Sequence, residues 1–168
     1  MLSYEVLYKA FFDRIEKDKT FFNYNGVTSE NALILAKTRA KNYLNEAVSL
    51  IKLKCTLEID IQLNDDSEEI NVELNGLETG LEGTEIYLIA SVMYEIYLSR
   101  DISTLKTMIN SLTSSDIKML YAPANERKTF MDMYSSVQAN NLVLMDNYNG
   151  RDRSSGGRKV IDYSKYAI

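Results

Sequence analysis

Along the first third of the chain, apolar residues return every three or four positions. Val6, Leu7, Ala10, Phe11 and Ile15 form one stripe, which predicts a helix from Ser3 to about Lys17 with Ser3 as its cap. A second stripe, Leu33, Ala36, Ala40, Tyr43, Leu44, Ala47, Leu50 and Ile51, predicts a longer helix from about Ser29 to Leu53, capped by Thr28. Its alanines permit close approach of another helix, and Lys37, Arg39, Lys41 and Glu46 mark its wetter side. Between the two stripes, Phe21-Phe22-Asn23-Tyr24-Asn25-Gly26 reads as a loop whose three aromatic residues fold back on the core or meet a partner.

The period then falls to two. Cys55, Leu57, Ile59, Ile61 and Leu63 alternate with Thr56, Glu58, Asp60 and Gln62, and Ile70, Val72 and Leu74 alternate with Asn71 and Glu73. The polar turn Asn64-Asp65-Asp66-Ser67 joins them into an antiparallel hairpin. A lone hairpin is marginal in water, so its apolar side must cover the helices or join a sheet from another subunit. Asn75-Gly76, Gly80 and Gly83 read as the loop into the next helix.

That helix, Thr84–Arg100, is apolar on nearly every side: Ile86, Ile89, Ala90, Met93 and Tyr97 on one face, Leu88, Val92 and Ile96 on another. It is expected to be the central helix, buried or shared with a neighbouring molecule. It is too short to span a bilayer, and Glu95 interrupts it. Ile102, Leu105, Met108, Ile109 and Leu112 suggest a separate short helix, with a further turn or two before Tyr121. Pro123 suits a first helical position. The helix after it, from about Ala124 to Tyr148, carries Phe130, Tyr134, Val137, Leu144, Met145 and Tyr148 along one side, with a polar gap at Asn140-Asn141. Gly150–Lys159 is rich in Gly, Ser and Arg and reads as an extended arm, ending in the apolar and aromatic anchors Val160, Ile161, Tyr163, Tyr166 and Ile168. The predicted fold class is mainly α. A helical bundle around a central apolar helix, with one inserted β-hairpin at about 55–74, occupies residues 1–148, and an extended C-terminal arm occupies 149–168.

Composition sharpens this picture. The chain has 168 residues, 45% of them hydrophobic, which is enough for one domain with a sizeable core. Its net charge of -5 argues against a general nucleic-acid binder. The charge is uneven: from Arg151 onward there are five basic residues and two acidic ones, a net of +3, leaving -8 for residues 1–150. A basic tail on an acidic body invites docking on another copy; a solvating tail is the other reading. Cys55 is the single cysteine, so no intramolecular disulfide forms, and residues 1–15 show no signal-peptide run. No transmembrane segment is expected, and the product is expected to be soluble and intracellular.

The chemistry is sparse. There is no histidine, which removes the commonest general base near neutral pH and the commonest metal ligand. Cys55 lies in the alternating run on its apolar side, as a buried structural thiol would. Asp65, Asp66, Glu68 and Glu69 read as a solvated turn; as Ca²⁺ or Mg²⁺ ligands they lack the spacing and central Gly of an EF-hand. Gly150–Lys159 lacks the phosphate-loop pattern, since Arg158-Lys159-Val160 follows Gly157. The twelve tyrosines and absent tryptophan suit surfaces with one apolar and one wet side. No enzymatic activity, cofactor or metal is expected.

The helices from Ser3 to Leu53 and from Thr84 to Tyr148, the arm from Asn149 to Ile168, and the stretch Tyr121-Ala122-Pro123-Ala124-Asn125-Glu126-Arg127-Lys128-Thr129-Phe130 together resemble the small head–tail connector (adaptor) proteins of tailed bacteriophages. The hairpin at Cys55–Leu74 departs from that pattern, as an insertion or as the mark of another class of virion or regulatory protein. The resemblance implies a structural subunit of the virion neck, assembled in the bacterial host cytoplasm. Copies would form an oligomeric ring that binds the portal protein and neighbouring neck or tail proteins and lets DNA pass without specific binding. Arg151, Arg153 and Arg158 would dock the arm, with Ile161, Tyr163 and Tyr166 as its partner-binding anchors. The acidic body fits a channel that must not hold phosphates. The rival readings are a monomeric helical protein-binding or regulatory module, and an enzyme using the Asp65–Glu69 carboxylates with a divalent metal.

Overall fold

The computed structural model describes residues 2–15, 19–22, 26–111 and 123–159. The anchors Ile161, Tyr163 and Tyr166 and the segment before Tyr121 therefore lie outside the described residues. The chain is mainly helical, with a small antiparallel sheet of four strands. In order, the elements are β1 (Leu2–Ser3), α1 (Tyr4–Ile15), α2 (Lys19–Phe22), α3 (Ser29–Lys54), β2 (Ile59–Asn64), β3 (Glu69–Leu74), β4 (Leu77–Thr79), α4 (Gly83–Ser111) and α5 (Pro123–Asn149). No helix of the described residues is long and apolar enough to cross a membrane.

In α1 the buried side chains are Tyr4, Leu7, Tyr8, Phe11 and Ile15, a helical stripe led by two tyrosines. Val6, expected inside, is instead 40% exposed. The Ser3 hydroxyl accepts the Glu5 amide at 3.3 Å, the expected cap. In α3, Ala36, Ala40, Tyr43, Leu44, Ala47, Val48 and Ile51 are buried. The first turns of this helix are largely exposed, and Leu33, placed in the core stripe by its spacing, is 48% exposed. The Thr28 carbonyl takes the first helical bond from Ala32, but its side chain makes no cap bond.

Phe21 is 1% exposed and lies in an aromatic cluster with Phe11, Tyr43 and Tyr97, so this part of the aromatic segment does fold back on the core. Ring centroids are 5.8 Å apart for Phe11–Phe21, 5.7 Å for Phe11–Tyr43 and 5.6 Å for Phe21–Tyr97, all edge-to-face. The cluster joins α1, α2, α3 and α4. Arg39 and Arg100 lie over the faces of Phe21 and Tyr43, at 4.4 and 4.7 Å.

The sheet is built on β3. Along one side it pairs with β2 in the register Ile59↔Leu74, Ile61↔Val72 and Leu63↔Ile70, which puts the apolar set on one face. Its other edge is shared by β1 near Glu69–Ile70 and by β4 near Val72–Leu74. Asn75 and Gly76 have φ of 53° and 78°, the pair of positive values a two-residue hairpin turn requires. Asn75-Gly76 thus folds β4 back onto β3, where a loop was expected. The strand after α3 begins at Ile59 rather than at Cys55. Cys55 is the residue that ends α3, its amide bonded to the Ile51 carbonyl at 2.7 Å.

Two further differences concern α4. It runs unbroken to Ser111, past the point at which a separate short helix was expected. Its cap is Glu82 rather than Thr84. The Glu82 carbonyl accepts the Ile86 amide at 2.9 Å, and the Glu85 carboxylate reaches back to the Glu82 amide at 2.7 Å, one half of a capping box. Between Glu85 and Leu98 the side chains are buried except for Ile86, Tyr87 and Tyr94, with Tyr87 53% exposed, and α4 packs against α1, α3 and α5. Replacing Phe11, which touches rings from three elements, by Ala is expected to lower the unfolding free energy by about 3–5 kcal/mol in denaturant titration. A loss below about 1 kcal/mol would show that the cluster does not hold these helices together.

Candidate functional site

The arm segment Gly150–Lys159, expected to be extended, is a closed turn. Arg151 and Arg158 form an antiparallel bridge. Asp152 donates its amide to Gly157 at 2.8 Å, and Lys159 donates to Gly150 at 2.8 Å. The Asp152 carboxylate accepts the Ser154 hydroxyl at 2.6 Å and the Ser155 amide at 2.9 Å. These bonds hold its carboxyl well below the usual carboxylate range, at about 2. The sequence Asp-Arg-Ser-Ser-Gly-Gly therefore supplies its own acceptor and a glycine at φ 69°, Gly156, and folds locally. The Gly156 and Gly157 amides are used inside the turn, at 2.9 and 3.3 Å, so they form no phosphate cradle.

The turn is clamped to the body of its own chain. Arg153 donates through Nε to Glu85 at 2.8 Å and through its guanidinium to the Gly80 carbonyl at 2.5 Å. Its amide bonds the Glu58 carboxylate at 3.1 Å. The Tyr148 hydroxyl donates to Glu85 at 3.0 Å. Arg151 bonds the Thr84 hydroxyl at 3.0 Å and pairs with Glu82 at 3.3 Å. Lys159 pairs with Glu58 at 2.9 Å, and the Asn149 side chain accepts the Thr56 amide at 2.8 Å. Among Glu58, Glu82, Tyr148, Arg151, Arg153 and Lys159 a void of about 10 Å³ is left, room for about one water.

Glu85 is the centre of this arrangement. It is 3% exposed, and its carboxylate serves the helix cap, Tyr148 and Arg153 at once. The Arg153 side chain is 9% exposed, so the pair is largely removed from water. Glu85 raises the pKa of Arg153. Burial, helped by Glu85, raises that of Tyr148. The hydrogen bond from Lys159 lowers the pKa of Glu58. Arg151 and Arg153, predicted to dock the arm, are thus engaged within their own chain. Arg158 is exposed and makes no side-chain bond or ion pair among the described residues.

A second buried polar group lies on α5. Asn141, read as part of a polar gap, is 1% exposed. It donates to the Ser91 carbonyl at 3.1 Å and to Glu95 at 2.7 Å, tying α5 to α4, while Gln138 adds a longer bond to Glu95 at 3.4 Å. Its place between Val137 and Leu144 on the apolar stripe was the available signal.

The other candidates show no reactive geometry. Cys55 is 8% exposed, and burial, then Asp146, pushes its thiol pKa up, away from nucleophilic use. Asp65 is held by Tyr4 at 3.1 Å and Asn45 at 3.3 Å, and its backbone carbonyl by Lys41 at 2.7 Å. Among the described residues, no three of His, Cys, Asp and Glu gather to hold a metal.

Removing one member of the buried pair strands the other. Glu85→Ala is expected to destabilise the fold by about 3–5 kcal/mol, and Glu85→Leu with Arg153→Met to recover most of that loss. A double variant that loses as much as the two single changes added together would mean the pair is not coupled. The depressed pKa of Asp152 stabilises the turn above the ordinary carboxylate range, and this is lost as pH falls toward about 2. Proton chemical shifts of the Ser155 amide should follow that titration in wild type and lose it in Asp152→Asn.

No protein-family model, curated protein or solved structure matches this chain.

Proposed function

We propose that the chain is a structural subunit of a tailed-phage neck, one copy in an oligomeric connector ring between portal and tail. The observation that carries this reading is the apolar surface left uncovered on two helices. Val27, just before α3, and Leu33, Ile34 and Leu35 in its first turns are 38%, 48%, 60% and 41% exposed. On α5, Leu142 and Val143 are 47% and 58% exposed. Single exposed apolar residues are ordinary, but four within nine positions suit burial against another subunit.

Other features support the same reading. The fold is mainly helical, and α4 is covered by α1, α3 and α5, as the central helix of a bundle would be. An acidic body suits a channel wall past which DNA must move without sticking. The clamped turn fixes the chain at Lys159, just before the residues that carry the anchors Ile161, Tyr163 and Tyr166 in the sequence. Those anchors are the proposed contacts to the portal and neighbouring neck proteins.

Sedimentation of the purified chain, alone and with portal particles, tests the reading. A discrete oligomer, or co-sedimentation with portal that is lost on deleting residues 160–168, is the expected result. A monomer without affinity for portal would overturn it.

A further inference from the structure

The described residues carry two opposed charged features at opposite ends of β2. At the Ile59 end lies the clamped turn, fixed there by Glu58 and Thr56 through Lys159, Arg153 and Asn149. An open cleft of about 690 Å³ lies against this turn, lined by Arg151, Gly156, Gly157, Arg158 and Lys159 of the turn and by Asp146 and Asn147 of α5. Arg151 and Lys159 spend their charge on Glu82 and Glu58. Arg158 does not, since it has no partner among the described residues and is exposed.

At the Asn64 end lies the turn Asp65-Asp66-Ser67-Glu68, all of it exposed. Asn64 holds its shape by accepting the Asp66 and Ser67 amides at 3.1 and 3.3 Å. Lys41 partly balances Asp65 and Glu68, at 3.7 and 3.9 Å. The Asp66 carboxylate has no partner among the described residues. Six residues of strand separate the two ends by about 20 Å, so they do not meet within one chain.

We propose that this cleft receives the acidic turn of a second copy of the same chain, with Arg158 of one copy facing Asp66 of the next. The inference rests on the ring reading above and names one of its contacts. Cleft and turn are different places on the molecule, so the contact is head-to-tail. Its repetition closes into a ring when the rotation between copies allows. Both sides are preorganised: the turn by Asn64, the cleft by the Glu85–Arg153 clamp. The contact therefore orders little new structure on forming. As an exposed charge pair, it sets register and partner choice and weakens with salt.

Light scattering over a concentration series, at low and high salt, tests this with Arg158→Glu, Asp66→Lys and the combined variant. Both positions are exposed, so circular dichroism should show all three folded as wild type. Each single change should weaken self-association by about tenfold or more through like-charge contact, and the combined variant should recover most of it. Wild-type association that ignores both single changes would overturn the contact and leave the ring reading standing, as would a combined variant no better than the singles. A wild-type chain that stays monomeric at every concentration would also overturn the contact, and the ring reading would then stand or fall on its association with portal.

Discussion

A helix that is apolar on almost every side is stable in water only when it is covered on almost every side. Residues 85–98 of α4 impose that condition on the rest of the molecule. Helices α1 and α3 cover it through the ring cluster around Phe11, Phe21, Tyr43 and Tyr97, and α5 closes the remaining side. Yet α4 also carries Glu85, Ser91 and Glu95 into this buried zone, 3%, 6% and 6% exposed. A buried carboxylate must find donors. Those donors are Tyr148 and Arg153 for Glu85, and Asn141 and Gln138 for Glu95. Apolar contact brings α5 to α4, and the two carboxylates select its register. Pairing early with late residues, 85 with 148 and 95 with 141, also fixes the antiparallel direction.

Much of this architecture was legible in the sequence where local pattern decides it. The stripe over Ala36–Ile51, the alternation over Ile59–Leu74 and the start of α5 at Pro123 are properties of neighbouring residues. Elements whose stability comes from elsewhere were not legible. β1 is two residues long and exists because Leu2 and Ser3 meet Ile70 and Glu69. β4 has only three residues, although Asn75-Gly76 is a strong hairpin signal that could have announced it. The role of Arg153 depends on Glu85, 68 positions away, and nothing near Arg153 announces that partner. A Gly- and Ser-rich basic run looks extended when read alone. Here Asp152 and Gly156 close it locally, and a carboxylate made available by the folding of α4 holds it down.

The same clamp links fold to proposed use. It draws Arg151 and Arg153 out of the pool of docking groups and leaves Arg158 as the exposed cation of the turn. It also sets the turn against the segment that leads into β2, so the geometry of the tail root follows from the burial of Glu85. The proposed role would use surfaces held in fixed relation more than reactive groups. The exposed apolar residues of α3 and α5, the acidic turn and the clamped basic turn are the surfaces that proposal calls on, and each is carried on or pinned to a packed element.

The central claim is that α4 cannot be uncovered piecemeal, because every neighbouring element is needed to bury it. Native-state hydrogen exchange of the α4 amides from Ile89 to Leu98, followed against low concentrations of denaturant, tests this most directly. The account predicts that these amides exchange together, with the free energy and denaturant dependence of global unfolding. Exchange through a smaller opening, with α1 and α3 still protected, would contradict it.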